Sequence, residues 1–488
     1  MDSSNLKEKT ARGLFWGSVS NGVQQLLALV IGIFLARRLM PEEYFMVAVL
    51  TVFSLLASNL QDSGFQNAIA VKTRAVHRDY NAVFWFSVGV SIVLYIGLFF
   101  LAPCIARFNH TPQLTTLARI SFLGFVLSSL GIAHSAYLFR NLMVKQRMIA
   151  TFTGVCVSGV VGISMVYSGL SYWGLVGQDL TYKCVVMLMY WRMSPWRPTF
   201  HLNLWPVFHM FRFSSKILAT NMLLTVNNQF LQAVLGHYYP KNEVGLYSQS
   251  NKWNTMGYTL ISGTLNGVAQ PVMAGVGSAD ERLCRVFRKM LRFTAFVSFP
   301  AMLGLALIAP EFVPLVLKSQ WSACVPYLRI LCVAGAFIPL SQLYSNLLIS
   351  RRRSGGFLLG TALMLLVQLG LMVGLSLSGG NIQTLLYAIA TMQILWLGVW
   401  HFLARSVLKV RLVWMLKDIV PFLAISLIAM GVAQLAASWT PNLWLRMVLK
   451  IVVAVVCYTG IMQMFGVVIF RECTDFMLQI LHLRSSKK

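Results

Sequence analysis

Acidic residues are scarce in this chain. Only 14 Asp+Glu stand against 40 Lys+Arg in 488 residues, and charged residues together make up 11%. A soluble domain carries about 25% charged residues, so too little charge is present to cover a water-exposed surface of this size. Cysteine pairs are absent as well. The eight Cys stand singly, most of them inside apolar runs, and none forms C-x-x-C. That excludes a disulfide framework and a zinc cluster, and the thiols read as small hydrophobes. The chain has no P-loop G-x-x-x-x-G-K-[ST], no G-x-S-x-G, no H-E-x-x-H and no EF-hand loop, so ATP does not drive it directly and no metal is implied. What is abundant is apolar: 57% of the residues, with a mean hydropathy of +0.69. A basic nucleic-acid binder gathers its charge on a polar face. A basic chain this apolar is instead a membrane protein with no nucleic-acid partner.

A span needs about 20 mostly apolar residues. Fourteen such runs are predicted, at 14–36, 44–62, 82–106, 116–139, 149–168, 172–191, 213–235, 253–275, 293–316, 325–348, 356–377, 382–404, 416–437 and 443–470. The first follows Lys7, Lys9 and Arg12 and runs to Ala36 with no small-residue cleavage site before Arg37-Arg38. It therefore reads as an uncleaved span, not a signal peptide. The segments between spans are short, leaving no room for a soluble catalytic domain. The fold class is an all-α polytopic membrane protein.

Charge tests the alternation. With the N-terminus cytoplasmic, 28 of the basic residues fall on the cytoplasmic side and six on the other. Cytoplasmic loops carry the Lys/Arg excess, so the bias predicts cytoplasmic N- and C-termini and an even span count. A shift of 199 residues then places Pro41 on Pro240 and Ser63-Gly64-x-x-Asn67 on Ser262-Gly263-x-x-Asn266. The shift maps the first span on the seventh, which is a parallel repeat. It predicts two six-helix lobes, 1–200 and 201–410, with a cavity between them, and an added helix pair with a cytoplasmic tail over 411–488.

Ionisable residues inside spans are costly and usually face a wet cavity or a partner. Asp179 and Lys183 stand four apart in the sixth span, on one helix face with the acid first. They are either a self-neutralising packing pair or the charged wall of a cavity. Lys216 opens the seventh span, and Asn221 and Asn228 share a face there. Asn21 and Gln25 do the same in the first span. Such amides serve interhelical hydrogen bonding or a substrate path equally well. Arg119, Arg329, Arg446 and Lys450 lie near span ends, where snorkelling to the surface is expected. Asp62 ends the second span, either as a helix-end residue or as part of an ion site at a broken helix. His134 and His401 read as buried, hydrogen-bonded imidazoles more readily than as proton relays. Glu42-Glu43 and Asp280-Glu281 read as surface loop pairs.

The segment Ala36-Arg37-Arg38-Leu39-Met40-Pro41-Glu42-Glu43-Tyr44, followed by Gln61-Asp62-Ser63-Gly64-Phe65-Gln66-Asn67-Ala68, resembles the opening of Wzx-type polysaccharide flippases. Those belong to the multidrug/oligosaccharidyl-lipid/polysaccharide exporter superfamily. Phe45 and Met46 depart from the pattern, which usually has a Gly there. Further resemblance lies in Phe213-x-x-x-Lys216, Asn227-Asn228, Gly245-Leu246-Tyr247-Ser248-Gln249, Pro271-Val272, Gly304-Leu305-Ala306, Trp321, Pro326 and Ile330-Leu331. It covers about residues 10–350. The resemblance implies fourteen spans, two six-helix lobes and alternating access in the bacterial inner membrane. It also implies a cargo: an undecaprenyl-pyrophosphate-linked oligosaccharide moved to the outer leaflet for surface polysaccharide. Membrane lipids, a polysaccharide polymerase and glycosyltransferases are the implied partners.

On that reading Lys183 and Lys216 are the candidate contacts to the anionic head group, with Arg119 and Arg329 as second choices. Asn21, Gln25, Asn221 and Asn228 are candidate sugar contacts. No cofactor is implied; a Na+ or H+ gradient is the candidate energy source, with Asp179 or Asp62 as the coupling acid. Two alternatives stay open: a cation-coupled multidrug-type antiporter of the same superfamily, which would need acids deep in its cavity, and a membrane polysaccharide polymerase, which would need long outward loops.

Overall fold

The computed structural model describes residues 22–474, except 63–68, 70–75, 142, 201–202, 204, 208–217, 219–221, 224, 226–234, 276–279, 352–353, 409–410 and 473. Most of the described residues are helical, with no strand among them. The helices are α1 (Gly22–Ala36), α2 (Pro41–Asp62), α3 (His77–Phe108), α4 (Leu114–Ser121), α5 (Leu123–Arg140), α6 (Val144–Met165), α7 (Trp173–Met193), α8 (Lys241–Gly275), α9 (Asp280–Leu317), α10 (Cys324–Gly335), α11 (Ile338–Ser350), α12 (Ser354–Leu377), α13 (Ile382–Leu408), α14 (Leu412–Ala437) and α15 (Leu443–Met464).

Among the described residues, ten helical stretches are long and apolar enough to cross a membrane. Each coincides with a predicted span. Two of them are broken: α4 and α5 make one crossing interrupted at Phe122, and α10 and α11 make another. The sixth and eighth predicted spans are also helices, α7 of 21 residues and α8 of 35, but their polar side chains keep them out of the ten. Of the first span only 22–36 is described, and the seventh lies mostly outside the described residues.

The chain divides into two compact units, 1–248 and 249–488. In the first, α6 and α7 pack together most extensively. The seven residues that join them hold a single π-turn over Val166–Leu170, in which Gly169 takes φ 86°, and Ser171 just after it takes φ 52°. Gly169 accepts that left-handed conformation without a Cβ clash. The helices come close along Gly154, where an added Cβ would lie 2.6 Å from Val186. Small residues at such a seam are the usual means of packing helices in lipid, where no hydrophobic force drives association. A second core gathers Tyr80, Phe84, Trp191 and Trp196 around His134, which is fully buried and stacks on Trp191 at 4.7 Å.

The acid pairs are not loops. Glu42 and Glu43 lie in the first turn of α2, and Asp280 and Glu281 open α9. Acids there meet the positive end of the helix dipole, and the Glu43 carboxylate accepts the Met40 backbone N–H at 2.6 Å. Phe45 is fully buried and packs beside Gly236, which gives the side chain its room. Gly245 at the start of α8 lies directly on the Pro41 carbonyl: an added Cβ would stand 1.9 Å from that oxygen. Backbone cannot yield as a side chain does, so Gly245→Val is expected to cost more than about 3 kcal/mol and to empty the membrane fraction of folded protein. Wild-type levels and thermal stability for that variant would contradict the contact.

In the second unit α9 carries Pro300, Pro310 and Pro314 and packs against α10, α14 and α15. Each proline lacks the N–H that would bond the carbonyl four residues back. Neighbouring helices supply two of those bonds. Tyr458 of α15 donates to the Phe296 carbonyl at 2.8 Å, and Arg329 Nε of α10 donates to the Ala306 carbonyl at 3.3 Å. Lys450 of α15 does not snorkel. Its side chain is 2% exposed, ion-paired with Glu311 at 2.7 Å, and it donates to the Leu307 carbonyl at 3.3 Å. A partner within the protein outcompetes the bilayer surface because the partner removes the cost of the buried charge. His401 meets its expectation, with Tyr344 Oη 3.1 Å from its Nδ1 in a buried setting.

Candidate functional site

Three of the polar residues of α7, Tyr182, Lys183 and Tyr190, line one cavity. Lys183 is central in α7, and its ammonium lies 2.6 Å from Asp179 Oδ2. The i,i+4 spacing sets this geometry, with Lys183 the better buried of the two (17% against 46% exposed). The ammonium stands 5.9 Å from the centroid of the Phe125 ring, within range of a cation–π attraction. Gly124 leaves the space: a Cβ there would lie 2.8 Å from Lys183 Nζ.

Around Lys183 is a cavity of about 280 Å³. Its polar lining is Tyr182 and Tyr190 from α7, Ser58 and Gln61 from α2, and Ser128 and Ser135 from α5. Gln61 is held by donating to the Phe125 carbonyl at 2.6 Å. One ammonium balanced by one carboxylate, among hydroxyls and an amide, suits a ligand that is anionic in one part and hydroxyl-rich in another. Among the described residues no cluster could hold a metal ion. A larger cavity of about 540 Å³ in the second unit is almost wholly apolar in lining, and its one cation, Lys450, is already paired with Glu311.

The structure thus brings together Asp179 and Lys183 of the residues predicted from sequence. Arg119 lies elsewhere, with its guanidinium 4.2 Å from the Phe99 ring centroid. Arg329 is exposed and bonded to the α9 backbone. Gln25 is partly buried in α1. Asn21, Lys216, Asn221 and Asn228 lie outside the described residues, as does the side chain of Asp62, the last residue of α2.

Sequence reasoning missed Ser58, Gln61, Ser128, Ser135 and Tyr190 as lining residues. The signal was present: Ser58 and Gln61 are three apart, Ser128 and Ser135 seven apart, and Tyr182 and Tyr190 eight apart, each pair on one helix face. Short hydroxyl side chains are common inside membrane helices, so spacing alone does not single them out.

Residues 34–326 match the model of a family described as "Polysaccharide biosynthesis protein". The chain is 26% identical over 356 residues to the lipopolysaccharide biosynthesis protein WzxC of Escherichia coli (strain K12), covering 72% of this chain and 71% of that one. It is 22% identical over 464 residues to the teichuronic acid biosynthesis protein TuaB of Bacillus subtilis (strain 168), covering 93% and 95%. Among solved structures, the lipid II flippase MurJ in an inward closed conformation superimposes with a TM-score of 0.75 at 15% identity, over 92% of this chain and 99% of that one, which shows a shared fold. A multi-pass helical fold of this kind and a family match over more than half the length lead to one statement: the chain belongs to the polysaccharide biosynthesis protein family.

Proposed function

We propose that this protein flips an undecaprenyl-pyrophosphate-linked oligosaccharide from the cytoplasmic to the outer leaflet of the bacterial inner membrane, by alternating access, during surface polysaccharide synthesis. The observation that carries the reading is Lys183, paired with Asp179 at the middle of a helix and lining a hydroxyl-bearing cavity. A sugar head and a pyrophosphate cannot cross hydrocarbon unaided. They need a path with hydrogen-bonding groups and a positive charge, while the lipid tail stays in the bilayer. The family membership and the names of the relatives, which are those of polysaccharide biosynthesis and flippase proteins, support a transport role over an enzymatic one.

In this reading the six-helix lobes, 1–200 and 201–410, exchange access between the leaflets, and both termini are cytoplasmic. Lys183 meets the pyrophosphate, with Lys216 as a further cation along the path. Asn21, Gln25, Asn221 and Asn228 meet sugar hydroxyls. Asp179 or Asp62 links the cycle to a Na+ or H+ gradient. The glycosyltransferases that complete the lipid-linked unit act before this step, and the polymerase after it.

Depletion of the protein distinguishes the readings. Lipid-linked repeat units are expected to accumulate on the cytoplasmic face of the inner membrane. Unpolymerised units on the outer face would instead mark a polymerase. Hypersensitivity to toxic organic cations with normal polysaccharide would mark an antiporter.

A further inference from the structure

The second unit holds a separate basic recess that the flipping reading does not use. Arg285 stands three and four residues before Arg288 and Lys289, and Arg292 four and three after them, so the four form one stripe on α9. With Val468, Ile469 and Glu472 they line a cavity of about 230 Å³. Asp418 of α14, only 4% exposed, fixes one side of it. Its carboxylate accepts Arg288 Nε at 2.6 Å and Arg288 Nη2 at 3.0 Å, and Arg292 Nε stands 2.8 Å from it. Lys289 pairs with Glu472 at 2.7 Å, both well exposed. Four cations therefore face two acids. Arg285, exposed, has no ion-pair partner among the described residues.

The depth of this recess follows from the helix. At about 1.5 Å per residue, the 38 residues of α9 span roughly 57 Å, well beyond a hydrocarbon core of about 30 Å. After Arg292 the helix carries no charge but Glu311, which Lys450 neutralises. The stripe consequently sits where the apolar run emerges, at head-group level. Arg288 stacks on Trp414 at 4.7 Å, and Trp414 and Val468 are both exposed, as aromatic and aliphatic groups at a membrane interface are.

We propose that this recess binds the phosphate of an anionic phospholipid head group. Arg288 and Arg292, held by Asp418, form its fixed positive floor. Arg285 and Lys289 close on the phosphate oxygens, Lys289 exchanging its solvent-exposed bond to Glu472 for them. The acyl chains run down past Val468. A cation cluster between helices at head-group depth is the arrangement that selects anionic lipid over zwitterionic lipid. The cargo of the transporter plays no part in the inference.

The test uses the full-length protein purified in detergent, with thermal unfolding and native mass spectrometry as readouts. Phosphatidylglycerol is expected to raise the unfolding temperature and to stay bound in the gas phase, whereas phosphatidylethanolamine and inorganic phosphate leave the protein unchanged. In the double variant R285Q/K289Q, which spares the Asp418 contacts, the phosphatidylglycerol needed for half the shift should rise about thirtyfold, the loss of two surface charges. If the double variant is not monodisperse, R285Q alone is measured, with about a fivefold rise expected. An equal shift in wild type and variant, or no shift in wild type, overturns the site. A shift produced by inorganic phosphate alone overturns the lipid assignment in favour of a free anion.

Discussion

Cells carrying Lys183→Ala as their only copy are expected to lose surface polysaccharide while the protein remains at wild-type level in the membrane. The substitution removes the one cation that lines the hydroxyl-bearing cavity among the described residues, and it leaves Asp179 without its partner. An anionic head group entering that cavity would then meet a lone carboxylate. Repulsion replaces attraction where the dielectric is low and each charge counts for more than in water. Stability should suffer little by comparison, because Asp179 is 46% exposed and can be solvated once unpaired. The phenotype separates this reading from a packing role: a self-neutralising pair that only fixes packing would lower protein level when broken and leave flipping per molecule intact. Gly124→Val supplies an independent check. Its side chain would fill the space Lys183 Nζ occupies, so it should mimic the loss without touching any charge. Normal polysaccharide in Lys183→Ala cells at normal protein level would sink the assignment of Lys183 to the cargo path.

The second large effect concerns stability. Glu311→Ala or Lys450→Ala is expected to destabilise the protein by about 3–5 kcal/mol, because either leaves an uncompensated charge in a buried site. Both side chains are almost completely buried, at 3% and 2% exposed. The Lys450 variant also withdraws a donor from the Leu307 carbonyl, three residues before Pro310 of α9. The expected readout is a fall in detergent thermal stability, together with easier proteolysis within α15 and the segment that joins it to α14. Replacing both partners, as in Glu311→Leu with Lys450→Met, should recover most of the loss, since two apolar groups of similar volume often match a buried ion pair. Single variants as stable as wild type would show that the pair does not fasten α15 to α9.

The two ion pairs differ in how far the sequence disclosed them. Asp179 and Lys183 are four residues apart in one helix, so helical geometry alone joins them, and their pairing was legible from spacing. Glu311 and Lys450 are 139 residues apart, and nothing in either neighbourhood names the other. Lys450 looked like a residue that snorkels because its position near a span end is all that the sequence supplies. Asp418, which gathers Arg288 from 130 residues away and Arg292 with it, is legible no better. The residues that carry the family resemblance are mostly matters of packing. Trp321 is fully buried, Leu246, Tyr247 and Gln249 nearly so, and Gly245 lies against the Pro41 backbone. A packing position is constrained by shape, which makes a motif recognisable without saying where cargo binds.

By itself the sequence determined that this is a multi-pass helical membrane protein, where most of its helices run, and which class of family it resembles. Those properties are local: the bilayer imposes a length and a hydropathy on each segment regardless of its neighbours. Only the tertiary structure decided which buried charges are neutralised by a partner, which proline-freed carbonyls are answered by Tyr458 and Arg329, and that α2, α5 and α7 enclose the cavity around Lys183. The physical reason is the cost of an unpaired polar group in a low-dielectric interior. It obliges each such group to find a partner, and packing, not chain order, determines which partner is within reach.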